Sequence, residues 1–257
     1  MLRSNVLFAV CIALVPLVSI FFLFEASLGT DWASLWRDDA WRDSVALTVY
    51  VVTVSTFGSL VGGTWLARAT VRLDWRWMSR FLRIPMFVPH IAAAYLFWLL
   101  FSGAFPTAGI RANEPDYLIV ILTYMWKEIP FVYLMMLGTY EQINRGYMDM
   151  AKTLQLNTIQ QFRHAELPFL IKPLLDCFWI LVAFMTFAVE IPALLGVTYP
   201  KMLGVLAYER LSTGLYLTET EPYAVAFLWT LLLAIGVMAS YRATARLRRR
   251  IERGVRR

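Results

Sequence analysis

The chain has 257 residues, of which 59% are apolar and only 16% charged. Water-soluble domains hold about 45–50% apolar and about 25% charged residues, and a fold of this size has too much surface to hide such an excess inside. Composition therefore places the protein in a membrane. The net charge of +6 gathers at the edges of apolar runs, where a bilayer explains it and a nucleic acid does not.

A bilayer core takes about 20 apolar residues in helical form. Runs at about 5–24, 44–67, 84–101, 117–138, 169–194 and 222–241 meet that length, which gives six expected spans. The first has Arg3 ahead of it, as a signal peptide does, but its run exceeds the ~7–15 residues of a secretory h-region and reads as a true span. After it, Asp31 is placed to cap a short helix with Trp32, Leu35 and Trp36 on one face. In the second span Gly58 and Gly62, with Gly63 adjacent, form a small face that lets helix backbones approach closely. Packing within one chain is preferred there over a contact between subunits.

Arg68, Arg72, Arg76 and Arg80 recur every four residues, with Trp75 and Trp77 among them. That spacing predicts a helix side lying on anionic headgroups. Orientation follows the same charges. The connections after the second and fourth spans and the tail carry most of the arginines, including Arg83, Arg145, Arg163 and eight between 242 and 257. The other side is rich in acids, among them Glu25, Asp31, Asp38, Asp39 and Asp43. Both termini are therefore expected in the cytoplasm.

Catalytic chemistry finds no footing. Cys11 and Cys177 sit in apolar runs, and two histidines are too few for a His-based metal centre. No Gly-x-x-x-x-Gly-Lys-Ser/Thr phosphate loop and no Gly-x-Ser-x-Gly elbow occurs. His90, after Pro89, is expected as a hydrogen-bonded packing residue, and His164 as a solvated one. The chain is expected to be no enzyme, with no catalytic group, metal or cofactor of its own. Among the ionisable residues that nonetheless fall inside spans, Lys127, Glu128, Asp176 and Glu190 stand out. A charge at the bilayer centre costs about 2.5–3.5 kcal/mol even on lenient scales, so each must face protein or water. Lys127 and Glu128 point about 100° apart on a helix and cannot simply neutralise each other. They serve interhelical structure or a solute path. Asp176 reads as a structural acceptor. Glu190 precedes Ile191-Pro192, where a broken helix could line a cavity.

The connection at 141–168 is too long and too ordered in pattern for a mere linker. It reads as helix, turn, helix, with Asn157 placed to cap the second helix and Gln160 placed to return the bond. It resembles the EAA loop of the permease subunits of binding-protein-dependent ABC importers. Asp149, Met150 and Ala151 stand at the Glu-Ala-Ala positions, Gln155 at the Gly position and Leu167-Pro168 at the end. Gln155 is a departure, because Gln meets a steric cost at positive φ that Gly avoids. Flanking segments are similar too: Trp65-Leu66-Ala67-Arg68, Ile84-Pro85-Met86-Phe87-Val88-Pro89 and Trp126-Lys127-Glu128-Ile129-Pro130-Phe131.

The resemblance implies an all-α type I importer permease fold with six transmembrane helices. Residues 1–43 would form the extra helix and its outer connection, 44–241 the core with a coupling loop at about 140–168, and 242–257 a basic cytoplasmic tail. It implies ATPase coupling through Asp149, Met150, Ala151, Gln155, Leu156, Leu167 and Pro168. It further implies a bacterial inner-membrane location, two partner ATPase subunits that bind ATP and Mg, a second permease chain and a periplasmic binding protein. Glu190 through Gly196 is similar to permeases for thiamine, ferric iron, polyamines or phosphonates. The competing reading is a self-sufficient carrier or channel with Lys127, Glu128 and Glu190 as its ion pathway.

Overall fold

The computed structural model describes residues 2–75, 77–103, 105, 107, 109–143, 153–213 and 220–255. Twelve α-helices stand among them, and no strand. In chain order α1 is Leu2–Ser27, α2 Trp32–Arg37, α3 Asp39–Leu73, α4 Met78–Phe81, α5 Ile84–Phe87 and α6 His90–Phe101. There follow α7 Leu118–Gln142, α8 Thr158–Gln161, α9 Leu167–Thr186, α10 Glu190–Leu195, α11 Leu203–Ser212 and α12 Thr220–Val255.

Four helical stretches are long and apolar enough to cross a bilayer: α3, α7, the run Thr158–Thr186 and Thr220–Ala245 of α12. A fifth arises if the bent pair Met78–Phe87 and His90–Phe101 counts as one span. The expected third span at 84–101 is thus not one helix. The pair bends by 99°, and two prolines explain why. Val88, preceding Pro89, is driven to an extended conformation, and Pro89 has no N–H to continue the ladder. The expected fifth span also breaks. It ends at Thr186, and a new short helix begins at Glu190.

α3 and α7 form the centre, and their contact is close because glycine lines it. A Cβ on Gly63 would stand 2.6 Å from Cβ of Val132 and 2.8 Å from the backbone N of Tyr133. Gly58 and Gly62 face Met125 and Ile129 of the same helix, so the small face serves packing inside the chain. Tyr124, Val132, Tyr133 and Met136 of α7 are wholly buried, as are Val51 and Ala67 of α3. Around this pair α6, α9 and α10 complete the core, and α1 lies against α12.

At the end bearing Asp31, the predicted cap forms: Asp31 accepts from the backbone N–H of Ala33 and Ser34. Leu35 is buried there while Trp32 and Trp36 stay exposed. Arg210 of α11 donates to Asp38 at 2.8 Å, and Trp41 donates to Glu221 at 3.1 Å. These bonds clasp α2, α3, α11 and α12 together.

Candidate functional site

At the opposite end, α3 leaves its apolar stretch with Arg68 and Arg72 four residues apart, hence on one helix face. Against that face lies a single π-helical turn, Phe162–Glu166, that leads from α8 into α9. Its last residue, Glu166, is 0% exposed. Arg68 donates to both of its oxygens, at 2.7 and 3.0 Å. Arg72 donates at 3.0 Å, and the Tyr140 hydroxyl of α7 at 2.9 Å. Arg72 also donates to Gln161 at 2.7 Å and Arg68 to the Thr158 carbonyl at 3.1 Å. The Arg68 guanidinium lies 5.3 Å from the centre of the Phe162 ring. A buried carboxylate is tolerable when its lone pairs are filled in this way. The π turn therefore hangs from two spans at once.

This corrects the expectation for the arginine stripe. Arg68 and Arg72 turn inward to Glu166 rather than lying on headgroups, because the carboxylate would otherwise be buried unpaired. Arg80 is exposed, and the exposed rings of Trp75 and Trp77 lie 6.2 Å apart. Arg76 lies outside the described residues.

The connection that feeds this joint is partly described. Asp149, Met150 and Ala151 lie outside the described residues. Gln155 has φ +53°, so the position of the family's Gly adopts the left-handed conformation and Gln bears its cost. Asn157 and Gln160 form the predicted reciprocal cap, with bonds of 2.8 and 3.1 Å. Leu156 is half-buried, and Leu167 and Pro168, both half-buried, open α9, where proline is tolerated in the first turn. Leu154 and Ile159 are 63% and 78% exposed, an apolar pair facing outward beside the capped turn.

The second group of candidates lies within the bundle. Lys127 is buried, and its Nζ donates to the carbonyls of Pro85, at 2.8 Å, and Val88. These are the carbonyls at the break between α5 and α6, where the helix ladder is interrupted. Lys127 therefore joins α7 to the broken span. Glu128 points elsewhere, with its Oε1 3.7 Å from Nε2 of His90. That separation exceeds a hydrogen bond, and Nε2 makes none among the described residues. The His90 ring lies 5.0 Å from that of Phe184 on α9. One turn before Glu128, the Tyr124 hydroxyl is buried and has no hydrogen-bond partner among the described residues. It feels the charges of both Glu128 and Glu190. Glu190 is exposed at the start of α10, which Asn113 holds by donating to the carbonyls of Leu194 and Gly196 at 3.0 and 2.7 Å. Asp176 is half-buried on α9.

Sequence reasoning missed Glu166, Tyr140 and Tyr124. Only Glu166 carried a signal, as an acid beside Leu167-Pro168. An apolar groove of about 650 Å³ between α3 and α9, lined by Phe57, Val61, Trp65 and Phe178, offers a solute little polarity beyond Thr64 and the committed Arg68.

Bent spans around a close-packed pair, tied to a connection at one end, describe a polytopic membrane protein. A family model for binding-protein-dependent transport system inner membrane components matches residues 56–253. The chain belongs to that family, the permease subunits of ABC importers, and so to the multi-pass proteins of the inner membrane. Its fold is similar to that of a chain from the crystal structure of a bacterial alginate ABC transporter in complex with an alginate pentasaccharide-bound periplasmic protein. The TM-score is 0.76 at 14% identity, covering 96% of this chain and 94% of that one. A second structure of a bacterial ABC transporter that imports alginate matches at 0.76 and 15%, with 95% of each chain covered. The inward-facing MetNI methionine ABC transporter matches at 0.58 and 20%, covering 79% of this chain and 94% of that chain. No curated relative matches by sequence.

Proposed function

We propose that this chain forms the translocation pathway of a type I ABC importer and is driven by ATPase subunits bound at its arginine-rich end. The joint at Glu166 carries this reading. It fixes the connection after α7 to α3 and α7, so force applied to the connection reaches both central helices. The exposed Leu154 and Ile159 offer an apolar contact beside the coupling segment at 149–155. The structural neighbours include complexes with a periplasmic protein, which supports a binding protein that delivers solute to the opposite end. Two ATPase subunits and a second permease chain complete the assembly. Six spans are reached when α1 and the bent α5–α6 pair are both counted. The chain catalyses no reaction and holds no cofactor, since ATP and Mg bind to the ATPases. It alternates access as the bundle rocks between two arrangements. The resemblance at Glu190–Gly196 puts the solute among thiamine, ferric iron, polyamines and phosphonates.

Ala151→Trp tests the coupling directly. A docking helix needs a small residue where its backbone nears the partner, and Trp there blocks close approach without touching a span. The variant is expected to insert, fold and co-purify poorly with a Walker-motif ATPase. Binding-protein-stimulated ATP hydrolysis in liposomes should fall to the unstimulated level. Normal stimulation would remove the coupling assignment.

A further inference from the structure

We propose that the groove between α3 and α9 seats an acyl chain of an anionic phospholipid, whose phosphate is held at the rim by Arg68. The site goes beyond the permease reading and requires only a chain that lies in a bilayer.

Shape and depth point to a lipid. Phe57, Leu60 and Val61 of α3 face Leu174, Leu175 and Phe178 of α9 across about 650 Å³. The Phe57 and Phe178 rings close the inner end, with centres 6.1 Å apart. Arg68 stands 11 residues after Phe57, a rise of roughly 16 Å at ~1.5 Å per residue. That is half of a ~30 Å hydrocarbon core, the reach of a chain from one leaflet. Trp65, 65% exposed and about one turn before Arg68, suits the level of the headgroups, where tryptophan gathers.

Charge selects the class of lipid. Arg68 spends Nε and Nη2 on Glu166 and the Thr158 carbonyl, and its Nη1 has no hydrogen bond among the described residues. The Arg68 side chain keeps 16% of its surface open, whereas that of Glu166 keeps none. Glu166 already takes four bonds, so one filled carboxylate answers two guanidiniums. The wider count has the same sign. From Trp65 to the cap Asp74, through the π turn and along α9, the cations are Arg68, Arg72, Arg163 and Lys172, and the carboxylates Asp74, Glu166 and Asp176. Four stand against three. A phosphodiester closes that difference; a choline headgroup, which brings its own cation, does not.

Thr64 is an independent sign of a guest. It lies one turn from Arg68 on the same helix face, lines the groove and is 8% exposed, yet its hydroxyl has no hydrogen-bond partner. Thr123, Thr186 and Thr230 each bond the carbonyl four residues back, as helical threonines do. Thr64 withholds that bond. Helical threonines have a second χ1 well, which turns the hydroxyl toward an ester or phosphate oxygen entering beside it.

The test titrates the full chain in detergent micelles with dioleoyl phosphatidylglycerol and follows thermal unfolding. The unfolding temperature should rise saturably. Dioleoyl phosphatidylcholine, or sodium phosphate at matched ionic strength, should not reproduce the rise. Val61 is 68% exposed and makes no part of the Glu166 joint, so Val61→Trp should fold with the groove filled. It should weaken the apparent affinity for phosphatidylglycerol at least tenfold, and Thr64→Val at least threefold. Arg68→Gln should abolish the preference over phosphatidylcholine; should it fail to fold, the other two variants decide. An equal rise with phosphatidylcholine, a rise with phosphate alone, or an unchanged response in Val61→Trp would each overturn the site. A dimer of this chain that Val61→Trp dissociates while the lipid response persists would assign the groove to a second copy instead.

Discussion

Glu166 shows how much of this structure rests on single charges. Its carboxylate takes four hydrogen bonds from three side chains, two of them cationic. Removing it in Glu166→Ala leaves Arg68 and Arg72 facing each other across a cavity, with the Tyr140 hydroxyl unbonded. Losing one partner of such a buried set costs about 3–5 kcal/mol, and thermal unfolding in detergent should show it. Glu166→Gln keeps the shape and one acceptor, and so should fall between Ala and the native residue. Unchanged unfolding in Glu166→Ala would mean that the joint holds nothing. The sequence exposed this site only in part. Arg68 and Arg72 were visible as a helix face, but their acid lies 98 and 94 residues away, beyond any periodicity. Lys127 and Glu128 were flagged by the cost of burying charge. Their partners were not, because Lys127 binds backbone carbonyls at a helix break.

Among the elements, regular helices were legible and the breaks were not. The Asn157–Gln160 cap and the Asp31 cap follow from local chemistry that needs no distant partner, and both form. The bend before α6 and the restart at α10 depend on whether a proline kinks a helix or ends it, which its neighbours decide. The glycines of α3 predict a close helix contact without naming its partner, and the contact with α7 can be tested at one of them. At Gly63 even a methyl group would press on Val132 and on the Tyr133 backbone, and backbone within a helix yields poorly. Gly63→Ala should lower stability by about 1–3 kcal/mol, as overpacking does. Gly138, also helical, has nothing within 4 Å of an added Cβ. Gly138→Ala should therefore raise stability by up to about 1 kcal/mol through helix propensity alone. The two unfolding temperatures should move in opposite directions; a neutral Gly63→Ala would contradict the close approach.

The molecule as a whole has two electrically different ends, and this difference decides how it sits in the membrane. At the Asp31 end three cations are answered locally. Arg210 meets Asp38 and Glu221, Lys201 meets Glu209, and Arg42 meets Asp39. At the other end Glu166 answers two arginines, while Arg80, Arg83 and Arg242 add to a positive excess. Short connections with excess Lys and Arg are retained in the cytoplasm during insertion. We therefore propose that the end with α8 and the expected coupling segment faces the cytoplasm, where ATPase subunits would dock, and that α2 faces the periplasm. Ser34 on α2 and Ile159 on α8, both exposed, report the two sides. With Cys11 and Cys177 replaced by Ala, Ser34→Cys should react with a membrane-impermeant maleimide on spheroplasts. Ile159→Cys should react only after permeabilisation. The opposite pattern would place the coupling segment outside the cell, away from any source of ATP, and with it the proposed drive would fail.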